Sequence, residues 1–320
     1  MATTSEPAAP PGRCPCCEAQ DGFAHVESVG RYSLWLCADC DVVFSQPMRA
    51  VTADEYDDLY VVRQRGVDAR MRPHFRWALR QLPERGAVLD VGCETGFFVH
   101  CCRRRGLEAY GLDISPAAVR AGRRRFSTDA LYVGSSEQLP DELAGRRFAA
   151  VTAFEVLEHQ SDPASFLHYL IALLEPDGQL LLSVPNRDRW PVREFMDYPP
   201  HHLLRWSPDA LGAFLRRHGL TVEQLKTTSR FESLNHFYGY FARKLAYRAL
   251  NMDVKGLRRQ EPAVRSAAGR LLRRLPPGWA ISALRRVRDA GMWVPALASW
   301  PVLGHRIQGY HLVAEARRNP

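Results

Sequence analysis

The chain has 320 residues, enough to bury a substantial core and to form about two structural units, and its 46% hydrophobic and 24% charged residues are the proportions of an ordinary soluble protein. No apolar run approaches the roughly 20 residues of a membrane span, and the proline-rich stretch from Met1 to Gly12 has no hydrophobic centre, which predicts no secretory signal and a cytoplasmic location. The net charge of +8 is uneven: seventeen basic and five acidic residues from Arg230 onward give that segment +12 and leave −4 for residues 1–229. Such a basic, tryptophan-containing segment suits an anionic substrate, a membrane surface or nucleic acid, or is simply a solvated helix face.

Eight cysteines include Cys14-x-x-Cys17 and Cys37-x-x-Cys40, separated by nineteen residues. Each pair can form a knuckle that aims two thiolates at one ion, and two knuckles complete the tetrahedron of a closed structural zinc site. Zinc contributes on the order of 10 to 16 kcal/mol to the folding of small finger peptides, enough to hold a ribbon this size together. Cys16 competes with the first pair, but Cys14 and Cys17 have the knuckle spacing. Tyr32 to Leu36 alternates like a strand and Val42-Val43-Phe44 follows the second knuckle, so residues 1–50 are expected to be a zinc ribbon. With all four ligands supplied by protein, the ion would be structural.

Residues 51–85 read as a linker and helical lid segment with Tyr56, Tyr60, Phe75 and Trp77, ending at the turn Pro83 to Gly86. Then comes Val88-Leu89-Asp90-Val91-Gly92-Cys93-Glu94-Thr95-Gly96, followed seventeen positions later by Asp113. An apolar strand breaking into a glycine turn, with a second strand ending in an acid, is how an open α/β sheet grips a nucleoside-bearing cofactor. A dinucleotide site wants G-x-G-x-x-G, whereas here Glu94 lies between the glycines and Phe97 replaces the third. A carboxylate beside a pyrophosphate is repulsive, which disfavours NAD and FAD. Cys93, Cys101 and Cys102 lie in apolar surroundings and are expected to be spectator thiols.

A helix is expected over Gly96 to Arg105 and a strand over Glu108 to Asp113. Ser115-Pro116 caps the next helix, which runs to about Phe126, and Leu131 to Val133 is a short strand. Phe148 to Phe154 is apolar almost throughout, as a parallel strand buried on both faces should be. Asp162-Pro163 caps a helix with Phe166, Leu167, Leu170 and Leu174 at helical spacing, Glu175 to Gly178 reads as a turn, and Gln179 to Val184 as a strand. Ser207-Pro208 caps another helix, stopped by Gly219, before a strand near Leu220 to Leu225 and a final one near His311 to Ala316.

The glycine loop, F-E-V-L-E-H at 154–159, D-P at 162, L-L-E-P-D-G at 173–178 and L-L-S-V-P-N at 181–186 together resemble the class I methyltransferases that use S-adenosylmethionine (SAM) on small molecules, including the quinone-ring O-methyltransferase type. The resemblance covers residues 86–229. It implies a Rossmann-like α/β fold: a seven-stranded sheet with helices on both faces, joined here to the ribbon, a basic helical insertion over 230–305 and a last strand within 306–320. The loop from Asp90 through Gly92, Cys93 and Glu94 to Gly96 would lie against the methionine end of SAM, with Asp113 on both ribose hydroxyls. Ser136 and Glu137 would face the adenine, and Phe154 and Glu155 would border the cofactor.

For an acceptor base the tract Tyr198 to Ser207 stands out, because it follows the fifth strand of the core and holds His201 and His202. A histidine of pKa about 6.5 accepts a proton from a phenol at neutral pH. His159, Arg189, Arg205 and Trp206 are candidate substrate contacts, the arginines for an anionic group. The Asn/Asp-Pro-Pro-aromatic tetrapeptide of amino-methylating enzymes is missing after Phe154, which disfavours methylation of bases and side-chain amides. The acceptor is expected to be a small molecule bearing a hydroxyl, with carbon as the second choice. Nucleotide sugars, natural products and lipid-linked acceptors are all open, since a similar ribbon precedes deoxysugar C-methyltransferases, although their stretch after the ribbon is not evident here. The insertion would receive the acceptor or touch a membrane surface. Two other readings stand beside this one: an RNA methyltransferase gripping phosphate through the ribbon and basic segment, and a SAM-fold binding module without catalysis.

Overall fold

The structure, a computed structural model, describes residues 10–50, 71–135, 139–189, 197–228, 234, 238 and 309–319. The chain divides into two compact units, one made of residues 1–189, 193–228 and 310–320, the other of 190–192 and 229–309. The elements that follow all belong to the first. Tyr56 and Tyr60, Ser136 and Glu137, and nearly all of the 230–305 insertion lie outside the described residues.

The amino-terminal strands are β1 (Phe23–Val29), β2 (Tyr32–Cys37) and β3 (Val43–Gln46), followed by α1 (Pro73–Gln81). The core then alternates strand and helix: β4 (Ala87–Val91), α2 (Phe97–Arg104), β5 (Glu108–Asp113), α3 (Pro116–Phe126), β6 (Leu131–Val133), β7 (Phe148–Phe154), α4 (Pro163–Ala172) and β8 (Leu174–Pro185). It closes with β9 (Leu204–Arg205), α5 (Pro208–Arg217), β10 (Leu220–Thr227) and β11 (His311–Arg318). The three expected caps form: Ser115 Oγ accepts from Ala118 N at 3.0 Å, Asp162 Oδ1 from Ser165 N at 3.0 Å and Ser207 Oγ from Ala210 N at 3.1 Å. Each is followed by proline, whose fixed φ and missing N–H suit the first helical turn.

The main sheet has seven strands in the order β10-β11-β8-β7-β4-β5-β6. Pairing is parallel from β8 through β7, β4 and β5 to β6, and antiparallel at β11, which lies between β8 and β10. Chain order reverses at β4, between β5 and β7, which opens a crevice at the carboxyl ends of these strands. Strand alternation divides the core into two layers. Leu89, Val151, Leu180 and Leu182 pack with Phe166, Leu170, Leu211 and Phe214 of α4 and α5 on one face. Val88, Ala109, Ala150 and Leu181 pack with Trp77, Phe98, Val99 and Val119 of α1, α2 and α3 on the other.

Three local differences from the sequence reading have physical causes. The turn expected at Glu175–Gly178 lies inside β8: the pairing with β7 jumps from Phe148↔Leu174 to Ala150↔Gln179, so these polar residues leave the ladder without ending the strand. The ribbon gains β1, and β3 pairs with β9, joining the loop after β8 to a four-stranded sheet β1-β2-β3-β9. The helical segment begins, among the described residues, only at Pro73. No described helix is long and apolar enough to cross a membrane.

Helix α3 approaches the glycine loop through Gly122, where an added Cβ would lie 2.3 Å from the carbonyl oxygen of Thr95 and 2.7 Å from Leu131. Gly122→Ala is therefore expected to destabilise the protein by about 1 to 3 kcal/mol, the usual cost of overpacking. Urea unfolding measures this, and an unchanged midpoint would show that α3 is free to retreat.

Candidate functional site

The crevice is built on a turn that only glycine backbone permits. Gly92 (φ 76°) and Gly96 (φ 72°) are left-handed, and a Cβ at Gly92 would lie 2.4 Å from Val156. The chain after β4 thus folds back on β5, with Gly92 N and Cys93 N donating to Leu112 O at 2.7 and 3.1 Å. This brings Glu94 N to 2.7 Å from Asp113 Oδ2, while Ser115 N donates to Asp113 Oδ1 at 2.9 Å. The two bonds orient the Asp113 carboxylate at the end of β5. Asp90 is buried at the end of β4, accepts from Thr152 Oγ1 at 2.6 Å, and is pushed up to about 7 by burial. Glu94 is left-handed (φ 53°), half-exposed, and 3.4 Å from Arg72, which partly offsets its charge.

Several expected contacts of this crevice point elsewhere. The Cys93 side chain turns into the core beneath Gly111, where an added Cβ would come within 2.6 Å of its sulfur, so only its backbone borders the crevice. The ring of Phe154, at the end of β7, packs in a cluster with Phe98, Phe75 and His74, at centroid separations of 4.9, 5.4 and 5.5 Å. Glu155 aims at β8 and β11, accepting from Ser183 Oγ at 2.8 Å with His311 Nε2 at 3.4 Å. Burial raises its carboxyl to about 7.

The second half of the site lies beyond β7 and β8. His202 points Nδ1 at Asp197 Oδ1, 3.5 Å away, and Nε2 at Glu158 Oε1, 3.8 Å away. His159 is 3.8 Å from the same Glu158 oxygen, packs edge-on against His202, and shares a hydrogen bond between its Nδ1 and the carbonyl of His201. The structure therefore separates the two histidines: His201 contributes its carbonyl to a brace, and His202 lies between two carboxyls. Burial opposes ionisation of Asp197, yet the bond from His202 and the charge of Arg189 hold it down at about 2. Burial pushes Glu158 well above its ordinary range, with the charge of Glu155 adding to the effect. Burial lowers His202 against the pull of Asp197, so the imidazole is neutral at pH 7.

Arg189 pairs with Asp197 and lies 4.2 Å over the ring of Tyr310. Arg205 bonds Glu27 of the ribbon at 2.7 Å and stacks on Tyr198 at 4.7 Å. Trp206, expected to touch substrate, is instead fully buried 5.0 Å from Phe214, because the residue after β9 faces the α5 layer. Glu158 lies in the F-E-V-L-E-H stretch beside His159 and Asp197 directly precedes Tyr-Pro-Pro-His-His, but nothing local in the sequence says that the two acids meet at His202. Two groups here have metal-ligating donor sets with atoms within 4.8 Å of one another: Glu158, His159 and His202, and His74, Glu155 and His311.

In the ribbon, the sulfurs of Cys14, Cys17, Cys37 and Cys40 also all lie within 4.8 Å of one another, with Cys14–Cys40 at 3.7 Å and Cys17–Cys37 at 3.6 Å. Sulfurs about 2.3 Å from a tetrahedral zinc are about 3.8 Å apart, so the cluster has the right size for that ion. Cys16 is buried outside the group, and burial raises its thiol.

The family model for the methyltransferase domain matches residues 63–225, just over half of the chain. The chain belongs to this family. A ubiquinone biosynthesis O-methyltransferase of Alkalilimnicola ehrlichii is 38% identical over 104 residues, 32% of this chain and 42% of that protein. One of Xanthomonas axonopodis pv. citri is 30% identical over 157 residues, 45% of this chain and 66% of that protein. The chain thus spans less than two thirds of the length of these relatives. The cyclase SpnF, at 18% identity, shares the fold over 84% of this chain and 97% of its own, with a TM-score of 0.51. The seven-stranded Rossmann-like fold is that of this methyltransferase family, whose cofactor is SAM.

The raised Asp90 carboxyl has a consequence for stability. Its folded value of about 7 against an ordinary 3.8 means that the folded protein keeps a proton which the unfolded chain releases. The associated stability is fully present below about pH 4 and is lost as pH rises through about 7, at up to roughly 1.4 kcal/mol per pKa unit. Asp90→Asn cannot ionise, so its urea-unfolding free energy should gain on wild type by about 2 kcal/mol or more between pH 4.5 and 7.5. A difference independent of pH would contradict the assignment.

Proposed function

We propose that the protein transfers the methyl group of SAM to a hydroxyl of a small molecule, with His202 as the base. One observation carries this reading: the glycine loop with Asp113 and the Asp197–His202–Glu158 group lie at the same edge of the sheet, at the carboxyl ends of parallel strands β4, β5, β7 and β8. Asp113, oriented by Glu94 N and Ser115 N, would accept from the ribose hydroxyls, the Gly92–Gly96 backbone would border the methionine end, and Asp90 would support the ammonium. Ser136 and Glu137 remain the candidates for adenine. The naming of the relatives as O-methyltransferases favours oxygen over carbon as the acceptor atom.

Methyl transfer from a sulfonium moves toward neutral products, so the main contributions are alignment and deprotonation, with alignment supplying about 7 to 11 kcal/mol in well-oriented systems. Ionised Asp197 favours the tautomer of His202 with its proton on Nδ1, which leaves Nε2 to take the acceptor proton as oxygen attacks the methyl carbon. Bound SAM would supply the methyl group and leave as S-adenosylhomocysteine, with the electron pair of the broken carbon–sulfur bond on sulfur and the methyl on the acceptor oxygen as an ether. Glu158, kept protonated by burial, adds no negative charge beside Nε2. The ribbon cysteines would hold a structural zinc, and the basic segment over 230–305 would receive an anionic or lipid-linked acceptor.

Calorimetry with SAM tests the cofactor half. Asp113→Ala should lose binding by at least 100-fold, whereas His202→Gln should bind within a few-fold of wild type. A screen with isotopically labelled SAM against phenols and nucleotide sugars identifies the acceptor. With it, His202→Gln should lower turnover by about 100-fold or more, and wild-type turnover should fall in acid as His202 protonates, at a pH below that of an ordinary imidazole because burial lowers its pKa. Undiminished turnover in the variant would refute the base. Replacing Cys37 with Ser should release zinc, and unchanged metal content would reject the ribbon site.

A further inference from the structure

The two knuckles of the ribbon share a backbone device but use its side chain differently. Glu18 follows Cys17 and Asp41 follows Cys40; both are left-handed (φ 68° and 57°), and each donates its N–H to the first cysteine of its knuckle, at 3.1 Å to Cys14 O and 2.9 Å to Cys37 O. Asparagine or glycine satisfies such a turn as well as an acid does. The Glu18 carboxylate pairs with exposed Arg13. The Asp41 carboxylate instead reaches the core, taking Arg187 Nη2 at 2.8 Å and the hydroxyl of Ser207, and the Asp41 carbonyl takes the other Arg187 nitrogen.

Arg187 and Ser207 bracket the acceptor-side loop. Arg187 begins the segment after β8 and its N–H donates to Trp206 O at 2.8 Å, while Ser207 caps α5. Between them lie Asp197, His201 and His202. Leu203 is held from two sides: Ser45 N of β3 donates to Leu203 O at 2.9 Å, and Leu203 N donates to Glu158 O at 2.8 Å. Phe44 pairs with Leu204, and Glu27 binds Arg205.

We propose that Asp41 is a positioning residue of the acceptor site: the metal-bound second knuckle fixes Asp41, Asp41 fixes Arg187 and Ser207, and these set the loop that places His202 between Asp197 and Glu158. The ribbon is then a working wall of the acceptor site, and emptying its metal site releases the loop. This rests on the readings of the zinc site and of His202 given above.

The test uses the full chain with its metal. Asp41→Asn keeps the turn and removes the charge; Asp41→Glu restores the charge on a residue type that Glu18 shows the turn accepts. Metal content by mass spectrometry and SAM affinity by calorimetry are expected to match wild type within twofold in Asp41→Asn. Backbone amide hydrogen exchange over residues 201–207 should accelerate at least tenfold, and Asp41→Glu should recover most of the protection. Stripping zinc from wild type with a chelator should accelerate the same amides. Unchanged exchange in Asp41→Asn with zinc still bound would overturn the clamp. Unchanged exchange after stripping would overturn the link to the metal. Wild type without any bound zinc would overturn the zinc reading and that link, whereas the clamp is decided by Asp41→Asn alone.

Discussion

The close approach of the turn after β4 to β5 is the constraint on which the rest of the site depends. A side chain at Gly92 would strike Val156, one at Gly96 would strike Leu131 at 2.4 Å, and one at Gly111 would strike Cys93. Because these atoms are missing, Glu94 N reaches Asp113 and the carboxylate is fixed by two backbone donors. Val156 borders the turn from the segment after β7 and Leu131 from the start of β6, so the same contact links the cofactor loop to the acceptor side. A single substitution there would move the cofactor acid and the start of the Glu155–His159 segment together.

The site's electrostatics follow from which carboxyls find cationic partners. Asp197 has Arg189 and His202 and stays ionised despite burial. Asp90 and Glu158 are as deeply buried and Glu155 is partly so, with weaker compensation, and all three are raised. The result is one fixed anion behind His202 and neutral acid in front of it, a separation of roles produced by environment among residues of the same chemical type. That arrangement suits removal of one proton from a neutral acceptor.

Much of this was legible in the sequence where the information is local. Ser115-Pro116, Asp162-Pro163 and Ser207-Pro208 announce helix starts, the apolar run at Phe148–Phe154 announces a strand buried on both faces, and the paired C-x-x-C announces a four-sulfur cluster. Long-range pairing left weaker traces. Leu204–Arg205 is too short to show periodicity and becomes a strand only because β3 is beside it. Phe154 and Trp206 had the composition of ligand contacts, but the layer each faces is set by strands and helices distant in sequence. Asp41 follows the last knuckle cysteine, and its partners Arg187 and Ser207 lie well over a hundred residues away. Local chemistry thus named the groups, and topology decided which of them meet.

The central claim is that this glycine turn, with Glu94 in place of a dinucleotide loop, is shaped for SAM. Isothermal titration of the full chain with SAM and with NAD tests it directly: the account predicts one SAM per chain at micromolar affinity and no detectable NAD. Failure to bind SAM at millimolar concentration, or equal binding of NAD, would contradict it.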